Sequence, residues 1–345
     1  MLTSQNKVVF VPTYVGYGQP SSIIGIFDAW TETFHQKKIP EELLNVGKRT
    51  ELWANGVLVA QDIVVFVPYR NTGNGLHIGI FDAISHELKT KDITSRVPHE
   101  EGDAVFHGGV ISCDGKVVFP PAGNGQTIGI FEVESDSFHG EDISSKIWNR
   151  GTYVGGVLLP SCRIVFVPAS ADNVGIFDPL TNDFETVEIS SVLSGDRKFI
   201  GGVLTPGGHV IFSPHYDTSN GGHIGIFNTS DKSFRVVDIS DKITTGFYGS
   251  VLLPNGNILH IPYSSGSIGM FDPSTESFHV EPWRSENEVR FGGGTLTQNG
   301  KVVMSPIVDS EVGVYDLADQ KPGYKVASAV PESWKVLLSP YLNRH

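Results

Sequence analysis

The chain has 345 residues, of which 39% are hydrophobic and 18% charged, and this composition supports a packed core and excludes a disordered chain. Its formal net charge of −13 repels phosphate backbones and anionic bilayers, so we expect neither nucleic-acid binding nor association with a membrane. Glycine (39 residues) and proline (20 residues) are frequent, which is typical of short strands joined by many turns.

The N-terminal residues and the cysteines indicate a compartment. The first residues, MLTSQNKVVFVPTYVG, lack the basic start and apolar run of a signal peptide, and no apolar stretch reaches transmembrane length. Cys113 and Cys162 lie near turns in neighbouring repeats, without a CxxC or Cys/His pattern. A secreted β protein of this size can carry several disulfides. The sequence therefore predicts free thiols and a cytoplasmic location.

A short sequence similar to IGIFD recurs along the whole chain. Its glycine returns every 44 to 54 residues, at Gly25, Gly79, Gly129, Gly175, Gly225, Gly269 and Gly313. A proline that ends a hydrophobic strand precedes each of them, at Pro12, Pro68, Pro120, Pro168, Pro214, Pro262 and Pro306. Two markers thus give the same count of seven, and periods of this length are typical of a propeller or a solenoid.

Each repeat predicts four short strands. In residues 149–190 these are TYVGGVLL, RIVFVP, NVGIFD and FETVEIS, separated by turns rich in Gly, Pro, Asp and Asn. Helical periodicity is limited to short connectors such as PEELLN at 40–45. The prediction is an all-β fold of up-and-down, four-stranded antiparallel blades.

The two ends of the chain predict a closed ring. The first-strand pattern occurs six times, and the N-terminus begins at a second strand, NKVVFVP. An unmatched piece, ESWKVLLSP at 332–340, reads like a first strand. We therefore expect residues 1–345 to form a single seven-bladed β-propeller, closed by a C-terminal strand that joins the N-terminal blade and removes exposed sheet edges.

The unit GGVLxPxGxVxFxP…NxIGIFD resembles the repeats of seven-bladed propellers related to streptogramin lyase, and the resemblance covers all seven repeats. In that family, acidic and histidine residues after the second strand hold a metal. The corresponding stretches here read VPYRN, PPAGN, VPASA, SPHYD and IPYSS, without a matching glutamate. The resemblance therefore implies the architecture, without the lyase activity or a metal site, and identifies no cofactor.

An acidic or amide residue follows the IGIF motif in every blade. The set comprises Asp28, Asp82, Glu132, Asp178, Asn228, Asp272 and Asp316. A ring of metal ligands is one interpretation. Recurrence at one turn position favours the other, in which the side chain caps the turn.

The connections between second and third strands differ in length and content, whereas the first-to-second turns stay short. In a propeller these variable loops lie on the same face as the starts of the innermost strands, where ligands usually bind. His107 and Tyr248 occupy a position on that face that is apolar or small in other blades. They are predicted to line the channel mouth; a histidine bonded to a neighbouring loop is an equally good interpretation.

Further candidates follow on the same face. His215, Tyr216 and Asp217 form either an acid/base or metal site or an ordinary solvated loop. Tyr69, Arg70 and Tyr263 offer aromatic platforms for a sugar or a protein partner. Arg290 precedes an inner strand and either binds an anion or is ordinary surface charge. The same two interpretations apply to Arg150, Arg197 and Lys198, which precede other inner strands.

One position at the start of the first strand is aromatic in six blades. Its residues are Trp53, Phe106, Tyr153, Phe199, Phe247 and Phe291. Packing between blades is the expected role of this set, and Tyr153 is in addition a candidate ligand contact.

Two functions fit the sequence. The first is a non-catalytic, monomeric binding propeller that recognises a protein or a small-molecule or carbohydrate ligand with its loop-rich face, because the blades are uniform and no catalytic motif is found. The second is a lyase, hydrolase or isomerase that acts on a small anionic or carbohydrate substrate, with acid/base groups from His107, Tyr248 and His215 and an anion contact from Arg290.

Overall fold

The computed structural model describes residues 1–12, 23–43, 52–59, 62–70, 76–100, 103–147, 152–215, 222–263, 266–283, 291–307, 312–318 and 321–324. These residues form seven antiparallel sheets, each built from strands consecutive in the chain. Two short 3-10 helices, Glu41–Leu43 and Thr94–Arg96, lie between blades. No helix among the described residues has the length and apolar character needed to cross a bilayer.

The seven sheets are the blades of a propeller, which confirms the predicted all-β class and the count of seven. The strands are, in blade 1, β1 (Lys7–Phe10), β2 (Ile23–Asp28) and β3 (Thr33–Lys38); in blade 2, β4 (Trp53–Leu58), β5 (Ile63–Pro68), β6 (His77–Asp82) and β7 (Leu88–Asp92); in blade 3, β8 (Val110–Ile111), β9 (Val117–Phe119), β10 (Thr127–Glu132) and β11 (Ser137–Asp142); in blade 4, β12 (Tyr153–Leu158), β13 (Ile164–Pro168), β14 (Asn173–Asp178) and β15 (Asp183–Glu188); in blade 5, β16 (Phe199–Leu204), β17 (His209–Pro214), β18 (His223–Asn228) and β19 (Phe234–Asp238); in blade 6, β20 (Phe247–Leu252), β21 (Ile258–Pro262), β22 (Ser267–Asp272) and β23 (Ser277–Pro282); and in blade 7, β24 (Phe291–Leu296), β25 (Lys301–Pro306), β26 (Gly313–Asp316) and β27 (Lys321–Tyr324). Blade 1 has three described strands, and its predicted fourth, at 332–340, falls outside the described residues.

The recurring motifs are explained by packing inside the blades. The aromatic residue of each first-strand motif is at most 2% exposed and shares an apolar cluster with the preceding blade, which confirms the expected packing between blades. Its ring lies against the glycine of the IGIF motif: a Cβ at Gly225 would come within 2.7 Å of the Phe199 ring. Only glycine leaves room for the ring, so the two motifs recur together.

Blade 1 closes the ring by contacting blades on both of its sides. Its residues Ile24 and Ile26 share an apolar cluster with Trp53 of blade 2. On the other side, Phe27 packs with Val314 of blade 7.

Two hydrogen bonds reinforce the seam between blades 1 and 7. The Gln298 NH donates to Asn6 Oδ1 (2.8 Å), and Asn299 Nδ2 donates to the Ala29 carbonyl (2.7 Å). The described residues of blades 1 and 7 therefore bond directly to each other.

Six of the seven residues after IGIF accept backbone hydrogen bonds in their turns, as predicted, whereas Glu132 accepts from the Ser135 and Ser137 hydroxyl groups. Asp82 Oδ1 accepts hydrogen bonds from the backbone NH groups of Ile84 (2.8 Å) and Ser85 (3.0 Å). Equivalent bonds from the backbone two residues on are made by Asp28, Asp178, Asn228, Asp272 and Asp316. The side chains are thus occupied by their own turns.

The prediction of free thiols is wrong, because Cys113 and Cys162 form a disulfide. Both cysteines lie in the turn between first and second strands, one in blade 3 and one in blade 4, and their Cα atoms are 5.4 Å apart. Equivalent turns of adjacent blades lie side by side, so a count of only two cysteines does not argue against a bond. The argument for a reducing compartment loses this support.

Candidate functional site

The loop face is the face of the ring that carries the starts of the first strands and the connections between second and third strands. The register defines it: Tyr153, which begins β12, pairs with Pro168, which ends β13. The disulfide and the capped turns lie on the opposite face. The predicted site residues that the structure describes belong to the loop face or to the strand ends beneath it.

His107 lies where the first strand of blade 3 is irregular. Phe106 pairs with Pro121 and regular pairing resumes only at Val110, an interruption that the first strands of blades 2 and 4–7 share. Gly108, directly after His107, has a φ of 79°. The backbone of His107 is held instead by the next blade, since the Gly155 NH donates to the His107 carbonyl (2.7 Å).

Tyr248 occupies the equivalent position of blade 6, nearly opposite in the ring. Its hydroxyl lies 3.4 Å from His107 Nε2, so the two side chains meet across the channel mouth. The Tyr248 ring stacks on the ring of Tyr263, with 5.6 Å between centroids. Two residues separated by 141 positions are thereby brought together.

Tyr69 and Arg70 extend this arrangement on the blade 2 side. The Tyr69 ring meets the His107 ring edge-on at 5.3 Å. The Arg70 guanidinium carbon lies 4.9 Å from the centre of the Tyr69 ring, and Arg70 donates to the Tyr69 hydroxyl (3.2 Å). We call the residues Arg70, Tyr69, His107, Tyr248 and Tyr263 the mouth cluster. All five are half-buried, so each keeps some surface open to a ligand.

The electrostatics of the mouth cluster centre on His107. Burial, aided by the charge of Arg70, lowers the pKa of His107 to about 4. The imidazole is therefore neutral at pH 7. Its Nδ1 atom is buried and has no hydrogen-bond partner among the described residues. A neutral imidazole beside a phenol can accept a hydrogen bond or a proton, while the guanidinium supplies positive charge.

The remaining candidates lie elsewhere. His215 is buried after the end of β17, and its NH donates to the Lys198 carbonyl (3.1 Å). Tyr153 is fully buried and donates to Asn173 Oδ1, so its side chain presents no surface to a ligand in this structure. Several candidates fall outside the described residues, namely Tyr216, Asp217, Arg290 and Arg150.

Lys198 is not surface charge, contrary to one of the two interpretations of the basic residues. Its ammonium group is fully buried, donates to the Gly195 carbonyl (2.5 Å) and lies 3.9 Å from Asp172 Oδ1. Burial lowers the pKa of Lys198, and the two nearby carboxylates oppose that shift. Its contacts are to the connection between blades 4 and 5 and to the second-to-third connection of blade 4, which indicates a structural role.

A cavity of about 640 Å³ lies at the outer side of the ring between blades 2 and 3, and the sequence did not indicate it. It lies between the connection from blade 2 to blade 3 and the Asn124–Gln126 loop, with Arg96 on its wall. Val105, also on the wall, donates its NH to the Tyr69 carbonyl (2.7 Å). No group of three or more potential metal ligands occurs among the described residues.

Comparison with known proteins supports the fold. No protein-family model matches the sequence, and no curated protein matches it. Among solved structures, a catalytically inactive virginiamycin B lyase from Staphylococcus aureus with quinupristin superposes with a TM-score of 0.67 and 14% identity, covering 91% of this chain and 96% of the lyase. A streptogramin B lyase superposes with a TM-score of 0.63 and 14% identity, covering 89% of this chain and 96% of the lyase.

Other enzymes share the architecture. A fungal alcohol oxidase in complex with copper gives a TM-score of 0.58 at 10% identity, covering 94% of this chain and 71% of the oxidase. Identities this low establish a shared fold and no shared activity. The chain is therefore a seven-bladed β-propeller, and its resemblance in fold to the streptogramin lyase-like propellers, expected from the repeats, is confirmed.

Proposed function

We propose that the protein is a monomeric binding propeller that recognises a small polar ligand with a flat face, such as a carbohydrate, at the channel mouth. The observation that supports this most directly is the convergence of Tyr69, His107, Tyr248 and Tyr263 from blades 2, 3 and 6. Aromatic faces bind the apolar side of a sugar ring, and Arg70 and the neutral imidazole bind its hydroxyl groups.

The proposal includes no nucleic-acid partner, because the net charge of −13 repels phosphate backbones. We further infer that the protein folds in an oxidising compartment rather than in the cytoplasm, since cytosolic thiols are kept reduced and the two cysteines are bonded.

The test is a glycan array of mono- and oligosaccharides probed with the wild type and with Tyr69→Ala and Tyr263→Ala. Trp30→Ala is the matched control, because Trp30 is 61% exposed on the opposite face. We expect a wild-type signal that falls at least about tenfold in both tyrosine variants, consistent with loss of a stacking contact of about 1.4 kcal/mol or more. A signal that survives both substitutions, or is lost equally in Trp30→Ala, contradicts the proposal.

A second candidate, an acid/base enzyme, is favoured by one observation. His107 Nε2 and the Tyr248 hydroxyl are 3.4 Å apart, which places an imidazole and a phenol within reach of one bound substrate. Such a pair suits a lyase, hydrolase or isomerase acting on a small anionic or carbohydrate substrate, with Arg70 as the described contact for an anion.

Two variants distinguish the two candidates. If the protein is an enzyme, His107→Ala and Tyr248→Phe abolish turnover of a glycoside and uronate panel while array binding persists. If the protein only binds, the wild type shows no turnover, and loss of binding is the sole effect of changing the mouth cluster.

A further inference from the structure

The seam between blades 5 and 6 departs from the repeat pattern at residues that face each other. His260 occupies a position that is Phe or Met in the other blades, at Phe10, Phe66, Phe119, Phe166, Phe212 and Met304. Ser213 occupies a position held by Val11, Val67, Pro120, Val167, Ile261 and Ser305. Both Ser213 and His260 are 0% exposed. Two polar residues in an otherwise apolar seam indicate a specific role, because burying a polar group that makes no hydrogen bond destabilises the fold.

The two side chains bond to each other and to the backbone next to Tyr248. Ser213 Oγ lies 2.5 Å from His260 Nδ1 and donates to the Gly249 carbonyl (3.1 Å). A hydroxyl has a single proton, so Nδ1–H of His260 donates to Ser213 Oγ. The result is a directed chain from His260 through Ser213 to Gly249.

Gly249 is the residue whose conformation sets the direction of Tyr248. It has a φ of 85° and lies in the irregularity where the β20–β21 register shifts between Phe247 and Ser250. Tyr248 precedes it and leaves the strand at this bulge toward His107 and Tyr263. Bulges redirect side chains, so a bond that fixes the Gly249 carbonyl also fixes where the Tyr248 ring points.

We propose that the buried His260–Ser213 pair is a positioning element for the mouth cluster, holding Tyr248 in reach of His107 through the Gly249 carbonyl. The proposal takes its purpose from the proposed function, since Tyr248 belongs to the mouth cluster. The position of Tyr248 is nevertheless measurable without any ligand, so the two proposals fail separately.

The chain offers an isosteric pair of variants for the test. Ser213→Val introduces the residue that blades 1, 2 and 4 hold at this position, and Ser213→Thr has the same shape as the valine variant but keeps the hydroxyl. Ser305→Val makes the matched change in blade 7, where the residue of the next blade equivalent to His260 is Phe10.

The measurement is 19F NMR of full-length protein labelled with 3-fluorotyrosine, with the Tyr248 signal assigned by its loss in Tyr248→Phe. We expect Ser213→Val to move the Tyr248 signal toward the position of a solvent-exposed tyrosine, and Ser213→Thr and Ser305→Val to leave it in place. A Tyr248 signal unchanged in Ser213→Val overturns the proposal, as does an equal shift in Ser213→Thr.

His260→Phe tests the other end of the chain of bonds. The His260 ring already lies 5.4 Å from Phe247 and 6.1 Å from Phe278, much as Phe166 lies beside Tyr153 and Phe184 in blade 4. We therefore expect the variant to fold with an unchanged or higher melting temperature and a displaced Tyr248 signal. Met304→Phe is its control. An unchanged Tyr248 signal in a folded His260→Phe variant contradicts the role of the imidazole. If this variant does not fold, the comparison of Ser213→Val with Ser213→Thr tests the proposal on its own.

Discussion

Removal of the disulfide between blades 3 and 4 has a magnitude that follows from the structure. Cys113 and Cys162 are separated by 49 residues, so the bond closes a loop that the unfolded chain would otherwise leave open. The chain-entropy relation for a loop of this length gives about 14 cal/mol/K, or about 4 kcal/mol at 25 °C. Cys113 is exposed and Cys162 half-buried, so serine at both positions removes little packing.

The double variant Cys113→Ser, Cys162→Ser should therefore unfold at a lower temperature. With an unfolding entropy of about 2.1 cal/mol/K per residue over the chain, a loss of about 4 kcal/mol lowers Tm by roughly 5–6 °C. Differential scanning calorimetry with and without a phosphine reductant measures the change. The reduced wild type should melt with the variant, and the variant should not respond to the reductant.

A thiol titration completes the assay. Denatured wild-type protein purified without reductant should show no free thiol and, after reduction, two. Two free thiols before reduction, or a Tm shared by wild type and variant in non-reducing buffer, would refute the bond and the argument for an oxidising compartment that rests on it.

Two further predictions concern the backbone. Gly108→Ala and Gly155→Ala both place a Cβ at a φ of +79°, but the Gly108 Cβ would lie 2.8 Å from the Gly155 Cα whereas the Gly155 Cβ meets nothing within 4 Å. Urea unfolding should show a loss of about 1 kcal/mol for Gly155→Ala and of order 1–3 kcal/mol more for Gly108→Ala; equal losses would contradict the close approach of the two strands. Asp82→Ala removes two turn hydrogen bonds and should cost about 1 kcal/mol at pH 7. The NH groups of Ser85 and Ile84 lower the pKa of Asp82, so its contribution is present above the unfolded carboxyl pKa near 4 and is lost as pH falls through the lower folded value. Wild type and variant should therefore converge in stability in acid, and a difference that persists unchanged at pH 2 would refute this origin.

The architecture was predictable because each blade repeats the same solution to the same packing problem. The IGIF glycine and the aromatic residue that opens the first strand recur together since one makes room for the other, as Gly225 does for Phe199. The turn role of Asp82 and its equivalents followed from recurrence alone, and the structure confirms it.

The mouth cluster was predictable in its members but not in its contacts. The sequence places His107 and Tyr248 at one repeat position, and only the diameter of the closed ring determines that their side chains meet. The cysteine prediction failed because it weighed their number and not their equivalent positions in adjacent blades. His260 was overlooked although ILHIP breaks the aromatic pattern of VVFVP, which is visible only when repeats are aligned.

The seam between blades 1 and 7 governs when the molecule can finish folding. Its hydrogen bond between Gln298 and Asn6 joins residues 292 positions apart, so ring completion awaits synthesis of nearly the whole chain. Until blade 7 is made, the ring is open and the apolar side of blade 1, with Phe27 and Phe34, faces water. This exposed apolar surface can associate with other chains. The entropic cost of bringing such distant ends together grows only slowly with length, which is why one interlocking seam suffices to convert a chain of local hairpins into a cooperative whole.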